Sequence, residues 1–296
     1  MATPKKKFKD ILFEVKDQVA WITINRPRVM NAFREQSLDE MIEAVKSTRE
    51  DPSIACIVFQ GAGTEAFSAG GDFYAMKRLN FQNAAMWNDR MLGLAMAIRG
   101  VPIPVIAKVN GWCMGGGHEL ALWCDLVIAS EKSMLGQTGA KVGACPTVGA
   151  TQYLPRIIGE RLAREMIFLA RRFTAKEAES IGLINKCVPE DQLEAETLAW
   201  CETIKGHSSQ TLRMTKKSLN LESDQLYGSW QHGMELLAHV WGSEESLEGM
   251  HAFLEGRKPD FQKFRMRNKQ VLDDYLDGFH KHLNAPPSMR DFPAGE

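Results

Sequence analysis

Three consecutive glycines and a glutamate form the stretch of the chain that is best suited to chemistry. Gly115, Gly116 and Gly117 lie between a short β-branched segment and an apolar segment long enough to be a helix, and Glu119 follows Gly116 by three residues. Because a glycine inside a helix costs roughly 1 kcal/mol relative to alanine, three in a row predict a tight turn that opens the helix. Glu119 then lies near one helical turn beyond that opening.

Such a turn and such a carboxylate can act together on one carbonyl group. The first N–H groups of a helix lack partners within it and carry partial positive charge, so they can bind an oxyanion or a phosphate. A carboxylate one turn away can transfer protons to and from the same ligand. The alternative is structural: the glycines permit close packing of strand and helix, and Glu119 caps the first turn. The spacing alone leaves both interpretations open.

Two further loops rich in small residues are candidates for the other walls of a site. Residues 61–73 follow a predicted buried strand and contain Gly70-Gly71-Asp72, and residues 136–143 contain three glycines. A loop without Cβ atoms allows a ligand to contact the main chain. We therefore expect the chemistry to lie where these loops meet the glycine turn before Glu119.

Composition excludes several classes of protein. The 296 residues are 44% hydrophobic with a formal net charge of -1, which gives no electrostatic reason to expect nucleic acid or a membrane surface as a partner. The six cysteines include no CxxC pair, which favours reduced thiols over disulfides or a zinc site. No apolar run approaches the roughly 20 residues of a membrane span. The sequence predicts a soluble, cytoplasmic protein with a solvated lysine tail at residues 5–7.

The order of the predicted elements indicates a parallel α/β fold. Residues 11–15 and 19–24 predict a hairpin, and a helix follows with Ser37 as its presumed N-cap and Glu40 three residues later. Residues 55–60 then predict a buried strand, so strand, helix and strand form a right-handed βαβ unit. Further predicted elements are a helix at 86–98 and strands at 104–109 and 126–129.

The second half of the chain has mainly helical periodicity. Thr174 and Glu177 form a capping-box pattern, and apolar faces recur at residues 193–204, 209–221, 234–240 and 246–254. The composition becomes polar after Gly256. Residues 265–296 are rich in charge and end in a proline-containing segment, so we predict an extension outside the core.

Several motifs in one order resemble the crotonase superfamily of enoyl-CoA hydratases and isomerases over residues 8–264. The motifs are Asn25-Arg26-Pro27, Asn31-Ala32, residues 66–72, residues 110–125, Gly136-Gln137, residues 174–185 and residues 256–261. The resemblance implies an α/β crotonase-like spiral of ββα units over residues 1–200. It also implies a helical trimerisation region over 201–264, so that the chain forms a homotrimer or a hexameric dimer of trimers.

The same resemblance implies roles for the glycines and the glutamate. A coenzyme A thioester would place its carbonyl oxygen in an oxyanion hole formed by the N–H groups of Gly71 and Gly116, and Glu119 would be the acid/base. Coenzyme A enters as part of the substrate, with no separate cofactor and no metal. The implied activity is that of an enoyl-CoA hydratase or isomerase, with a lyase as the favoured class.

One departure from the family pattern limits this expectation. Hydratases of the family use two glutamates, and the second falls on Gly139. The sequence of residues 136–143 most resembles that of the dihydroxynaphthoyl-CoA synthases and 2-ketocyclohexanecarboxyl-CoA hydrolases. Yet the catalytic serine, aspartate and tyrosine of that branch align with Ala144, Pro146 and Trp241. We therefore do not predict naphthoate synthesis.

The remaining predicted substrate contacts follow from the same resemblance. The predicted contacts to the coenzyme phosphates are the basic residues Arg28 and Lys77. The predicted loop contacts are Ala69 and Phe73, and an anion or ordered water is expected near Gln137, Thr138 and Gly139. A solvated surface charge is the alternative for both basic residues. We assign no chemistry to His118. Adjacent helical residues point about 100° apart, so His118 and Glu119 cannot both face one site, and Glu119 is the residue that we expect there.

Two other functions stay open at this point. The branch resemblance suggests a hydrolase that opens the ring of a cyclic keto acyl-CoA. A different class is a crotonase homologue that binds RNA, although the near-neutral charge argues against it.

Overall fold

The strands form two sheets of different size. The structure, a computed structural model, describes residues 8–283, so the predicted lysine tail and residues 284–296 of the extension lie outside it. The larger sheet has six strands in the order β1-β2-β3-β5-β7-β10. Their bounds are β1 Ile11–Lys16, β2 Val19–Ile24, β3 Cys56–Gly61, β5 Val105–Val109, β7 Leu126–Ser130 and β10 Lys186–Val188.

The predicted hairpin and the predicted βαβ unit are both confirmed in this sheet. Strand β1 pairs antiparallel with β2, and β2 pairs in parallel with β3 across helix α1, Glu35–Ser47. The remaining neighbours are also parallel. Side chains from β3 alternate between two apolar clusters: Ile57 and Phe59 face the main core, whereas Cys56 and Val58 pack towards a later helix. Burial on both faces explains why a central strand such as β3 is a continuous apolar run.

The predicted N-cap of α1 is wrong. The helix begins two residues before Ser37, with Arg34 in the capping position. The Ser37 hydroxyl donates to Asp10 at 2.7 Å and accepts from the N–H of Arg34 at 3.2 Å. Glu40 accepts hydrogen bonds from the N–H groups of Lys9 and Asp10. Glu40 therefore holds the segment before β1, and Ser37, at the third helical position, links Asp10 to the N–H of Arg34.

The smaller sheet has four strands of three residues each, in the order β4-β6-β8-β9. They are β4 Ala66–Ser68, β6 Trp112–Met114, β8 Met134–Gly136 and β9 Arg172–Thr174. The first three are mutually parallel, and β9 is antiparallel to β8. The sequence analysis predicted no strand at any of these positions, since three residues are too few to establish a period.

Helices surround the sheets and make up most of the second half. The other helices are α2 Phe73–Met76, α3 Ala84–Gly100, α4 Gly116–Trp123, α5 Ala150–Ile158, α6 Glu160–Phe168, α7 Ala175–Ser180, α8 Leu193–Lys205, α9 Ser209–Asp224, α10 Tyr227–Val240, α11 Glu244–Leu254 and α12 Gln262–Leu283. The predicted cap at Thr174 is confirmed, because its side chain accepts from the N–H of Glu177. Among residues 8–283, no helix combines the length and apolar character needed to cross a bilayer.

Candidate functional site

The three loops singled out in the sequence follow neighbouring parallel strands of the smaller sheet. Residues 69–72 follow β4, residues 115–117 follow β6 and residues 137–139 follow β8. Because β4, β6 and β8 are parallel, the three loops emerge at the same edge. Ligands in α/β sheets bind at the carboxyl ends of strands. The fold therefore brings the predicted segments together through strands that the sequence did not predict.

The first two loops touch through their main chains, and this contact requires glycine. A Cβ atom built on Gly70, which has a φ of +96°, would lie 2.8 Å from the nitrogen of Gly116. A Cβ on Gly117 would lie 2.2 Å from the carbonyl oxygen of Ser68. As predicted, the glycines open a helix: Gly115 is its N-cap, with a φ of +52°, and α4 begins at Gly116.

The N–H groups of Gly71 and Gly116 are available to a ligand. Both residues line one small cavity, which we call the inner cavity. The N–H of Gly115 donates to Gly136 and that of Asp72 donates to Phe33, but within residues 8–283 neither Gly71 nor Gly116 donates to a protein acceptor. An N–H group without a protein partner can donate a hydrogen bond to a ligand in this cavity.

Glu119 lies in the same inner cavity and is buried. Its Oε1 accepts a hydrogen bond of 2.9 Å from the N–H of Val148. Burial raises the pKa of the Glu119 carboxyl from about 4.5 to about 8, against the opposing effect of hydrogen bonds from the N–H groups of Val148 and Ala150. The carbonyl of Val148 in turn accepts from the indole of Trp123, so the loop facing the carboxyl is fixed.

The rest of the inner cavity is mostly apolar. Among the described residues that line it, Glu119 is the one carboxyl group. The apolar and aromatic lining comes mainly from Phe33, Met76, Trp87, Met91, Val142, Ala144, Pro146, Val148, Leu237 and Trp241. Cys145 also lines it, with its thiol pKa raised by burial, so this thiol is protonated and unsuited to nucleophilic attack.

Gly139 lies on the inner cavity, and its loop leaves no room for a side chain. A Cβ at this position would lie 2.4 Å from the carbonyl oxygen of Ala144. That contact is with main chain, since the N–H of Ala144 donates back to the Gly139 carbonyl at 3.0 Å. The loop geometry therefore requires glycine at residue 139, where the resemblance places the family's second glutamate.

His118 is turned away from the reacting side of the helix. It is buried, does not line the inner cavity, and its Nδ1 lies 3.0 Å from the amide nitrogen of Gln137. Burial lowers the pKa of the His118 imidazole to about 4, so the ring is neutral at pH 7. Gln137 and Thr138 both line the cavity, and Gln137 also donates to the carbonyl of Gly115 at 3.3 Å.

A larger concave surface, the outer groove, adjoins the inner cavity and has a volume of about 460 Å³. The two share Ala69, Gly71, Phe73, Thr138 and Val142. Further along, the groove is lined by Val29, Met30, Asp72, Tyr74, Trp112, Met114, Lys141, Arg172, Phe253 and Leu254, among others. A long ligand can thus lie in the groove with one end in the inner cavity.

Comparisons with known proteins agree with this architecture. Residues 14–265 match the model of a family described as enoyl-CoA hydratase/isomerase. The chain belongs to this family. An enoyl-CoA hydratase/isomerase from Xanthobacter autotrophicus Py2 is 30% identical, with a TM-score of 0.78, over 84% of this chain and 94% of that one. An enoyl-CoA hydratase from Bacillus anthracis is 31% identical, with a TM-score of 0.70, over 86% of this chain and 99% of that one.

An enoyl-CoA hydratase from Mycobacterium avium subsp. paratuberculosis K-10 has the same fold, with a TM-score of 0.79 at 27% identity. It aligns over 86% of this chain and 99% of its own. The predicted crotonase-type α/β fold with C-terminal helices is therefore confirmed. The family match ends at residue 265, so most of α12 lies beyond it.

The structure gathers most, but not all, of the family residues predicted from sequence. Arg28 is exposed and lines a separate shallow depression formed by residues 25–29. Lys77 lies 5.2 Å from the ring centre of Tyr74, which lines the outer groove, but Lys77 itself does not line it. All other predicted substrate contacts lie on the inner cavity, the outer groove or both.

Several residues that line the inner cavity and the outer groove were not predicted from the sequence. Lys141 and Arg172 are exposed cations on the outer groove, and Arg172 lies over the Trp112 ring at 5.0 Å. Leu237 on α10 lines the inner cavity. These residues come from segments far apart in sequence, and no local pattern distinguishes them from ordinary surface or core positions.

Proposed function

We propose that this protein is an acyl-CoA enzyme of the enoyl-CoA hydratase/isomerase type that works through a thioester enolate. The thioester carbonyl oxygen accepts hydrogen bonds from the N–H groups of Gly71 and Gly116, and Glu119 transfers the proton. The observation that carries this proposal is the shared cavity: two N–H groups without a protein acceptor and one buried carboxyl group belong to residues that line the same space.

The chemistry needs these two features and little else. Ionised Glu119 removes a proton from the carbon next to the thioester carbonyl, and the electron pair of the broken C–H bond moves onto the carbonyl oxygen. Fixed N–H dipoles stabilise the resulting enolate, and removal of one such donor in other enzymes costs about 2.7–4 kcal/mol. When Glu119 returns the proton to the γ-carbon of a β,γ-unsaturated thioester, the double bond moves into conjugation.

The buried state of Glu119 suits a group that must both take and give a proton. With a pKa of about 8, roughly one tenth of the carboxyl groups are ionised at pH 7. Proton transfer is most effective when the pKa lies close to the working pH. The apolar surroundings of Glu119 thus convert an ordinary carboxylate into a proton shuttle near neutrality.

Within this type, the geometry favours isomerisation over the hydration implied by the resemblance. Isomerisation needs a single proton carrier, whereas hydration also needs a water molecule held against the double bond. Gly139 has no side chain that could supply a second carboxylate. The Ala144 carbonyl also occupies the space that a Cβ at this position would need. Glu119 is the acid/base in either reaction, so the two reactions differ in the need to hold a water molecule and in their products.

The outer groove supports binding of the coenzyme A portion of the substrate. It opens from the inner cavity through Ala69, Phe73 and Thr138, and the cations Lys141 and Arg172 line it. Lysine and arginine pair with phosphate groups, and arginine does so through two parallel hydrogen bonds. We propose that these two residues, rather than Arg28, contact the coenzyme phosphates.

Exposed apolar residues on the C-terminal helices support the proposed self-association into trimers. Leu219 and Leu221 on α9 and Phe253 on α11 each expose more than half of their surface. Phe253 also contacts Phe73 edge to face at 4.8 Å, on the wall of the outer groove. A trimer would cover such residues, and sedimentation velocity would show it.

Product analysis with a panel of linear and cyclic enoyl-CoA and keto acyl-CoA thioesters tests the proposed activity. Isomerisation leaves the mass unchanged, hydration adds one water, and ring-opening hydrolysis adds one water and a new carboxylate. We expect turnover of a linear enoyl-CoA that falls by at least ~100-fold in Glu119→Gln. Glu40→Gln is the matched control, because Glu40 is equally buried but lies outside both cavities.

Two results would contradict the proposal. Full activity of Glu119→Gln on the substrate of the wild-type protein would remove the assigned role of Glu119. No turnover of any thioester, together with a salt-sensitive mobility shift of RNA, would favour the binding homologue instead.

A further inference from the structure

We infer that Trp241, positioned by Asn88, closes the acyl end of the inner cavity and limits the substrate to short linear acyl groups. This inference rests on the proposed function, because it assumes that an acyl thioester occupies the cavity. Trp241 follows α10 directly, and together with Leu237 it lines the inner cavity but not the outer groove. These two side chains therefore lie on the wall away from the coenzyme.

Asn88 on α3 fixes the orientation of the Trp241 ring. Its Oδ1 accepts a hydrogen bond of 3.2 Å from the indole Nε1 of Trp241. Its Nδ2 donates to the carbonyl of Met234 on α10 at 2.9 Å. Asn88 and Trp241 are both buried, so a broken bond would leave a polar group unsatisfied in the interior. The indole N–H is thus used within the protein and holds the ring as a fixed wall.

The size of the cavity sets the limit on the acyl group. A dry cavity of about 150 Å³ in another protein holds one benzene molecule. The inner cavity measures about 70 Å³. By proportion it admits about three carbon atoms, which corresponds to a thioester of roughly four carbons including the carbonyl. A six-membered ring does not fit unless a wall moves, which argues against the ring-opening alternative.

The Phe33 and Trp87 rings, which also line the cavity, cannot move without disturbing the proposed oxyanion site. Phe33 and Trp87 stack with ring centres 6.2 Å apart. A Cβ built on Gly116 would lie 2.8 Å from Phe33, and one built on Gly71 would lie 3.1 Å from Trp87. Both rings therefore lie directly behind the two glycines, whereas Trp241 is not among the atoms nearest to either. A substitution at Trp241 can therefore change the acyl chain length that the cavity accepts without disturbing the two glycines.

The test compares four-carbon and eight-carbon thioesters in binding and in turnover. Calorimetry with butanoyl-CoA and octanoyl-CoA measures affinity without chemistry, and the corresponding enoyl-CoA pair measures kcat/KM. We expect the wild-type protein to prefer the four-carbon ligand by at least ~10-fold in both measurements. Trp241→Ala should reduce that preference by ~10-fold or more, and Asn88→Ala should reduce it in part by releasing the ring.

Matched variants separate a specificity change from loss of folding. Trp230→Phe alters a buried tryptophan on the same helix that does not line the inner cavity, so its chain-length preference should equal that of the wild type. Trp241→Phe serves if Trp241→Ala does not fold, and it should shift the preference in the same direction by a smaller factor.

The outcomes distinguish failure of this inference from failure of the proposed function. Equal affinity of the wild-type protein for the two saturated thioesters would overturn the size limit, even if both enoyl-CoA substrates react. An unchanged preference in folded Trp241→Ala and Trp241→Phe would overturn the role of Trp241. Binding that depends on chain length, without turnover of any enoyl-CoA, would contradict the proposed function and leave the size limit supported.

Discussion

The two sheets of this protein have different tasks. The central strands of the six-stranded sheet, β3, β5 and β7, are buried on both faces and carry apolar side chains into two clusters. The four-stranded sheet consists of three-residue strands, and three of them end in loops that form the inner cavity. The larger sheet therefore contributes buried side chains to the core, whereas the proposed chemistry depends on main-chain geometry at the edge of the smaller one.

This difference predicts opposite responses to small changes in volume. At the edge of the small sheet, one added methyl group meets main chain or the side chains behind a ligand position. In the large sheet, one lost methyl group leaves a small void. The first kind of change should act on turnover and the second on the free energy of unfolding.

The largest effect is expected for Gly71→Ala and Gly116→Ala. The added Cβ would lie 2.1 Å from the sulfur of Met76 in the first variant and 2.8 Å from Phe33 in the second. Because each change displaces one N–H donor, kcat should fall by ~10²–10³-fold. Steady-state kinetics measure this, with Gly93→Ala on α3 as control, since its Cβ would meet only an ordinary contact at 3.4 Å. A Gly71→Ala variant as active as the control would remove this donor from the proposal.

The pH dependence of activity and of stability should differ in direction. Ionisation of Glu119 activates the base, so turnover should rise by up to ~10-fold per pH unit and level off near pH 8. Folding raises this pKa, so the proton is held more tightly in the folded protein, and stability falls as pH rises from about 4.5 to about 8.

Thermal unfolding at several pH values measures the stability part of this prediction. Glu119→Gln should gain stability relative to the wild type as the pH is raised through this range. A difference between Glu119→Gln and the wild type that does not vary with pH would contradict the raised pKa.

A smaller effect is expected for Gly139→Glu. The family pattern would suggest that it restores a second catalytic carboxylate, but its Cβ would lie 2.4 Å from the Ala144 carbonyl oxygen. We expect the loop to shift at a cost of about 1–3 kcal/mol, with no gain in hydration. Differential scanning calorimetry and product analysis measure both quantities. Increased hydratase activity at unchanged stability would show that the loop accepts the side chain.

The smallest effect is expected for Ile106→Val in the large sheet. Ile106 on β5 is fully buried in the cluster that faces α8. Loss of one methyl group should reduce the free energy of unfolding by about 0.5–1.5 kcal/mol and leave kcat unchanged. Urea unfolding and kinetics on the same sample measure this, and a clear loss of kcat would show that the two sheets are not separate in function.

The sequence predicted five of the six strands of the large sheet because their signals are local, whereas the three-residue strand β10 was not predicted. Runs such as residues 19–24 and 55–60 carry apolar side chains at nearly every position, and Thr174 with Glu177 forms a cap within one helical turn. The cap at Ser37 failed because its hydroxyl binds Asp10, a residue 27 positions earlier. Local patterns do not reveal a partner that the tertiary structure supplies.

The site was predictable only in its glycine loops and Glu119. Gly71, Gly116 and Glu119 lie in recognisable motifs, and the structure places all three on one cavity. The walls at Leu237 and the Asn88–Trp241 pair arise where α10 meets α3, and the cations of the outer groove come from the loop after β8 and from β9. Such positions depend on how helices pack, which the periodicity of one segment does not determine.

The most direct test of the central claim is exchange of the α-protons of a saturated thioester in deuterated water. Butanoyl-CoA has no double bond, so it can neither isomerise nor add water, and deuterium enters only if an enolate forms and is reprotonated. We predict that the wild-type protein incorporates deuterium next to the thioester carbonyl and that Glu119→Gln loses this exchange by at least ~100-fold while still binding the ligand. Binding without exchange in the wild type, or equal exchange in Glu119→Gln, would contradict the proposed mechanism.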